Sequence, residues 1–179
     1  MVSVMRSQVI LSHGSDSSPQ ATKVSALAAL AESLGWTTQR PDYRDDDARG
    51  QVASVSPRIA RLRATIEALS APPLLVGSSM GAFVSALVSL DVPVAGLLLL
   101  ATPGAIPGYL RSLNMRRGMP TMLVHGWRDD VCPVAAAQEY AARYRVPLLV
   151  LDDDHRLGSS MDFITLQFRL LLDQVSNAA

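Results

Sequence analysis

The sequence predicts an α/β fold in which a six-stranded, mainly parallel sheet carries helices on both faces. Three observations point there. Short apolar runs bounded by Gly, Pro or polar residues alternate with longer stretches of helical spacing, the pattern of repeated βα units. The segment Gly77-Ser78-Ser79-Met80-Gly81 passes from the apolar run Leu74-Leu75-Val76 into the helix-like run Ala82-Phe83-Val84-Ser85-Ala86-Leu87-Val88. Residues able to carry chemistry, His13, Ser79, Asp129 and His155, each fall just past an apolar run.

In chain order, strands are read at 8–12, 37–41, 74–77, 94–100, 121–124 and 148–151, all parallel and all but the second apolar. Helices fall between them. Residues 20–34 place Val24, Leu27, Ala28, Ala31 and Leu34 on one stripe, and 57–69 does so with Ile59, Leu62, Ile66 and Leu69. The last helix, from Ser159 or Ser160 to Val175, sets Phe163, Leu166, Leu170 and Leu171 toward the core, and the Asn177-Ala178-Ala179 tail is expected to fray. Residues 101–118 leave room for a turn and one short helix. The polar stretch 42–55, with Asp45-Asp46-Asp47 beside Arg44 and Arg49, reads as a solvated loop leading into a helix rather than a metal site.

At 179 residues, one domain spanning 1–179 suffices, and roughly 70% of the unfolded surface can be buried in a single core. Sixteen acidic residues balance sixteen basic ones, no Lys/Arg-rich run occurs and aromatics are scarce, so a nucleic-acid partner is not expected. The lone Cys132 excludes an internal disulfide framework. Met1–Ser7 lacks the charged-then-apolar order of a signal peptide, and Val9-Ile10-Leu11 is too short to cross a bilayer. A cytoplasmic location without membrane association is the expectation.

A G-x-S-x-G between a strand and a helix forces a turn so tight that glycines must flank the serine, which raises the Ser79 hydroxyl above the sheet edge. With 11 glycines and 19 serines in the chain, about 0.07 such matches arise by chance, so the motif needs partners. A serine hydroxyl is a weak nucleophile until a base takes its proton, and imidazole suits that task near neutral pH. The histidines are His13, His125 and His155. His155 comes last, on the loop after the final strand, where the Ser, acid, His order of such a scaffold requires the base. The backbone N–H of Met80, directly after Ser79, is placed to receive a developing oxyanion.

The pieces Leu11-Ser12-His13-Gly14-Ser15, the turn at Ser79, His125-Gly126-x-x-Asp129-x-x-x-Pro133 and His155 lie in one order along the chain. In these the chain resembles the α/β-hydrolase superfamily, most closely its small, lidless serine esterases. The resemblance implies strand order 2-1-3-4-5-6 and a catalytic set of Ser79, Asp129 and His155. It also implies a second oxyanion donor in the Ser15 N–H, with His13 and His125 shaping backbone. By the family's spacing the acid is Asp129, with the adjacent Asp130 and then the run Asp152-Asp153-Asp154 as alternatives; Asp130 is expected to point elsewhere and the run to serve as surface charge.

Ile106, Tyr109, Leu110 and Leu113 are candidates to line an acyl pocket or to pack a short helix. Arg111, Arg116 and Arg117 read as a solvated face, and Cys132 as a packing residue. The expected activity is cofactor-independent and metal-free cleavage of a small acyl ester through an acyl-enzyme. A thioesterase or small-amide hydrolase shares every motif. A non-catalytic ligand-binding module on the same fold is the rival of another class.

Overall fold

Side chains alternate across a strand, so the apolar runs in five of the six strands demand cover on both faces. In the computed structural model, which describes residues 8–178, β1 (Val9–Ser12), β2 (Thr38–Gln39), β3 (Leu74–Ser78), β4 (Gly96–Leu100), β5 (Thr121–Gly126) and β6 (Leu148–Leu151) form one sheet. Its order is 2-1-3-4-5-6 and every pairing is parallel, as the sequence predicts. The Met1–Ser7 segment and Ala179 lie outside the described residues.

Alternation sorts the core into two halves. Ile10, Leu75, Leu97 and Leu99 face α3 (Gln51–Glu67), α4 (Met80–Val88) and α5 (Val134–Tyr144), meeting Leu62, Phe83, Leu87 and Tyr140. Val9, Leu11, Leu98 and Leu100 face the other way, toward Leu27 and Ala31 of α1 (Thr22–Ser33) and Phe168 and Leu172 of α6 (Met161–Ala178). Every residue of α4 is buried, which suits a helix that is apolar all round. No helix among the described residues is long and apolar enough to cross a membrane.

Several elements differ from the sequence expectation, each for an identifiable reason. Helix α3 starts at Gln51, six residues before Pro57. Proline favours the first helical turn, but here it sits inside the helix at the cost of one backbone donor. A single turn, α2 (Arg44–Asp47), replaces the solvated loop, and it buries Asp46. Residues 101–118 contain no helix: the segment folds back through an antiparallel bridge between Ala105 and Ser112. It packs Ile106, Leu113 and Met115 into the core.

In α6 the buried set is Ile164, Phe168, Leu171, Leu172 and Val175, whereas Phe163, Leu166 and Leu170 are about half exposed. The helix carries two apolar stripes side by side, and contact with the sheet selects between them. It also continues through Ala178, past the expected point of fraying.

A candidate active site at the C-terminal ends of the strands

In a doubly wound sheet the loops leaving the C-terminal strand ends share one edge, and a cleft opens where the strand order reverses. Here β1 runs on to β2 on one side while β3 lies on the other, and Ser79 follows β3 directly. Its backbone adopts φ 53° and ψ −118°, a conformation unfavourable to a residue with a Cβ. The flanking glycines make the turn possible. A Cβ on Gly77 would overlap the backbone of Gly81 and Ala82, and one on Gly81 would overlap the carbonyls of Ser12 and His13. The Ser79 N–H donates to Leu100 O at 2.8 Å, tying the turn to β4.

Ser79 Oγ lies 3.0 Å from His155 Nε2, although 76 residues separate them. On the far side of the ring, His155 Nδ1 stands 2.8 Å from Asp129 Oδ2 and 3.0 Å from Oδ1. A carboxylate only accepts, so Nδ1 carries the proton and Nε2 is left to accept from the serine hydroxyl. The His155 side chain is 21% exposed and that of Asp129 is fully buried. The line therefore runs from a buried carboxylate to a half-buried serine.

Asp129 is held from several directions. Its Oδ1 accepts the N–H groups of Val131 (3.0 Å) and Cys132 (2.7 Å), and its Oδ2 lies 3.2 Å from His125 Nε2. His125 Nε2–H donates to Cys132 O at 2.6 Å, closing the loop around the carboxylate. The sequence places His125 near the site but does not reveal this clasp. Asp130, the neighbouring candidate, is exposed.

Gly126 ends β5 beneath the β6 loop, and a Cβ there would overlap the Asp153 carbonyl, two residues from His155. Gly126→Ala is therefore expected to cost about 1–3 kcal/mol, which lowers Tm by about 2–12 °C for a chain of this size. It should also displace His155 from Ser79. Calorimetry together with the rate of serine labelling checks both, and an unchanged Tm would contradict the crowding.

Met80 begins α4, and Ser15 lies in the loop after β1. Neither N–H has an acceptor among the described residues. Gly14 lies against Ser79: a Cβ built on it would be 3.5 Å from Ser79 Cβ. His13 is buried, its Nδ1–H donating to Gly14 O at 2.7 Å and its Nε2 accepting the Tyr43 N–H at 3.1 Å. Burial holds this imidazole below its ordinary pKa, consistent with a neutral ring that shapes backbone.

Of the remaining candidates, Asp152 is exposed and pairs with Arg128, but Asp153 is not surface charge. It is 4% exposed and accepts from Ser160 Oγ at 2.7 Å, joining the His155 loop to the start of the last helical segment. Local sequence does not distinguish three adjacent aspartates that face different ways. Lys23, the chain's one lysine, donates from α1 to Arg156 O beside His155. Ile106 and Leu113 are core residues, Tyr109 packs edge-on against Phe83, and Leu110 is fully exposed, so these four do not line one pocket. Arg116 bonds Ser89 O, and Arg117 lies over the Tyr144 ring.

Asp129, Cys132 and His155 bring a carboxylate, a thiol and an imidazole within 4.8 Å of one another. They make a poor cation site, because protein donors already occupy the carboxylate and burial pushes the Cys132 thiol up to about 12, with the Asp129 charge adding to the effect. At pH 8 only about one thiol in 10⁴ is then ionised. Iodoacetamide should alkylate native Cys132 at least about 100-fold more slowly than the urea-unfolded chain. Equal rates would contradict the burial.

Comparison with solved structures places this geometry among known folds. A Xanthomonas campestris pv. campestris protein of the alpha/beta hydrolase superfamily is 40% identical, superposes with a TM-score of 0.89, and is matched over 94% of this chain and 99% of its own. Est1E from Butyrivibrio proteoclasticus shares the fold at 16% identity and a TM-score of 0.74, over 96% and 90% of the two chains. A lidless serine hydrolase from Xanthomonas campestris does so at 14% identity and 0.71, over 96% and 84%. No protein-family model and no curated protein matches this chain.

Proposed function

The chain belongs to the α/β-hydrolase superfamily, and from that membership we propose that it is a serine hydrolase cleaving small acyl esters through an acyl-enzyme on Ser79. The observation that supports this best is the unbroken hydrogen-bond line from Asp129 through His155 to Ser79. Ser79 Oγ attacks the ester carbonyl as His155 Nε2 takes its proton, and Asp129 stabilises the resulting imidazolium. The carbonyl oxygen becomes an oxyanion held by the N–H groups of Met80 and Ser15. Collapse expels the alcohol, which receives the proton from His155. Water, activated by the same ring, then attacks the acyl-enzyme and restores the serine.

A fluorophosphonate adduct mapped by mass spectrometry tests the nucleophile: modification is expected on Ser79, and labelling of Ser78, or none on folded protein, would refute the reading. Acyl preference tests the substrate class. Residues 101–118 lie folded against the core rather than forming a helical cover, which favours soluble, short-chain substrates. Each methylene buried in a small pocket adds about 0.8 kcal/mol, about fourfold in kcat/KM, until the chain outgrows the cleft. Across p-nitrophenyl acetate, butyrate, octanoate and palmitate the expected profile rises and then falls, with no jump at micelle formation. A continuous rise to palmitate with interfacial activation would refute the short-chain assignment.

A further inference from the structure

Arg58 lies on α3, outside the hydrogen-bonded line that carries the chemistry, yet its side chain has no solvent exposure. A buried charge is costly unless it is paired and its donors are used. Asp47 of α2 takes two of those donors, from Arg58 Nε at 2.7 Å and Nη2 at 2.6 Å, and the Tyr43 ring lies 4.5 Å beneath the guanidinium carbon. The other contacts reach the loop after β1: Nη1 donates to His13 O at 2.7 Å and Nη2 to Gly14 O at 3.0 Å. Gly14 O thus receives two donors, Arg58 and the His13 ring.

A peptide group is planar and trans, so a carbonyl drawn one way sends the following N–H the opposite way. The carbonyl of Gly14 is drawn to Arg58, and the N–H joined to it is that of Ser15. We propose that Arg58 is a positioning residue that fixes the Gly14–Ser15 peptide plane and so keeps the Ser15 N–H available as the second oxyanion donor. Without it, rotation of that peptide would turn a carbonyl oxygen, rather than an N–H, toward the developing negative charge. Arg58 would thereby act on the transition state more than on substrate binding. The inference rests on the acyl-enzyme reading above.

The test compares p-nitrophenyl butyrate with its thiono analogue, whose sulfur accepts hydrogen bonds weakly and so draws little help from oxyanion donors. Active-site titration with a fluorophosphonate normalises each rate to folded, competent enzyme. Arg58→Lys retains a charge for Asp47 but cannot reach both carbonyls. It should lower kcat on the oxo ester about 10-fold to 100-fold, leave KM within about threefold, and reduce the oxo-to-thiono preference about 10-fold. Asp47→Asn, which loosens the guanidinium without removing it, should move the same ratio by a smaller amount. In the wild-type protein the Ser15 amide proton should shift downfield when a trifluoromethyl ketone adds to Ser79.

A merely structural role for Arg58 would reduce the competent fraction and leave the ratio untouched. Wild-type oxo-to-thiono selectivity in each variant that folds, or a Ser15 amide unmoved by the adduct, overturns the proposal. Should the wild-type enzyme neither label at Ser79 nor turn over esters, it is the acyl-enzyme reading that fails.

Discussion

Ser79→Ala is expected to lower kcat on a short p-nitrophenyl ester by about 10⁶ and to abolish fluorophosphonate labelling, while Tm stays within about 2 °C of wild type. The magnitude follows from cooperation. Without Oγ, His155 has no proton to accept in the attacking step and Asp129 has no imidazolium to stabilise, so the whole relay is lost together. Residual turnover would come from the Met80 and Ser15 N–H groups and from substrate binding alone. The small stability effect follows from the site: Ser79 Oγ makes no capping bond to α4, and alanine keeps the Cβ the turn already accommodates. Steady-state kinetics and calorimetry on one preparation check both halves. A loss below about 100-fold would remove Ser79 from the chemistry.

Asp129→Asn should cost about 10⁴ in kcat, whereas Asp130→Asn should cost little. Two backbone N–H groups fix one oxygen of Asp129, so the carboxamide of asparagine must keep its oxygen there. Its NH2 then faces His155 Nδ1 and His125 Nε2, where a donor meets donors. His155 is pushed to the tautomer with the proton on Nε2, which no longer accepts from Ser79. Asp130 is exposed and makes no comparable contact. Equal losses in the two variants, or the reverse ranking, would reassign the acid.

The central strands were readable because apolar runs such as Leu74-Leu75-Val76 and Gly96-Leu97-Leu98-Leu99-Leu100 have no other use in a polar neighbourhood. Helix α5 was not, since the face that Val134–Tyr144 turns inward, Ala137, Tyr140, Ala141 and Tyr144, is built of alanines and tyrosines with no large aliphatic side chain to mark it. Ser79 and His155 were legible from the glycine turn and chain order, and Asp129 only through family spacing. The Asp46 and Asp47 pairs with Arg61 and Arg58 stayed hidden. An aspartate run looks solvated until a helix 11 to 15 residues later brings its guanidinium groups back to it. The clasp of His125 on the Asp129 loop was hidden likewise, because a hydrogen bond to the Cys132 carbonyl leaves no mark on composition.

The backbone at Ser79 sets thermodynamic tolerance against catalytic use. A residue held at φ 53° and ψ −118° stores on the order of 1–3 kcal/mol, which the surrounding pairings must outweigh. Glycine adopts positive φ freely, so Ser79→Gly would release part of that strain, offset by the greater entropy of the unfolded chain. Ser79→Ala keeps the strain and loses only the hydroxyl. Between these two variants the difference in unfolding free energy measures what the molecule forgoes in robustness to hold the hydroxyl that the proposed function requires clear of the sheet. Where the strain released exceeds that entropy, stability alone favours glycine here, and the proposed hydrolysis is what opposes it.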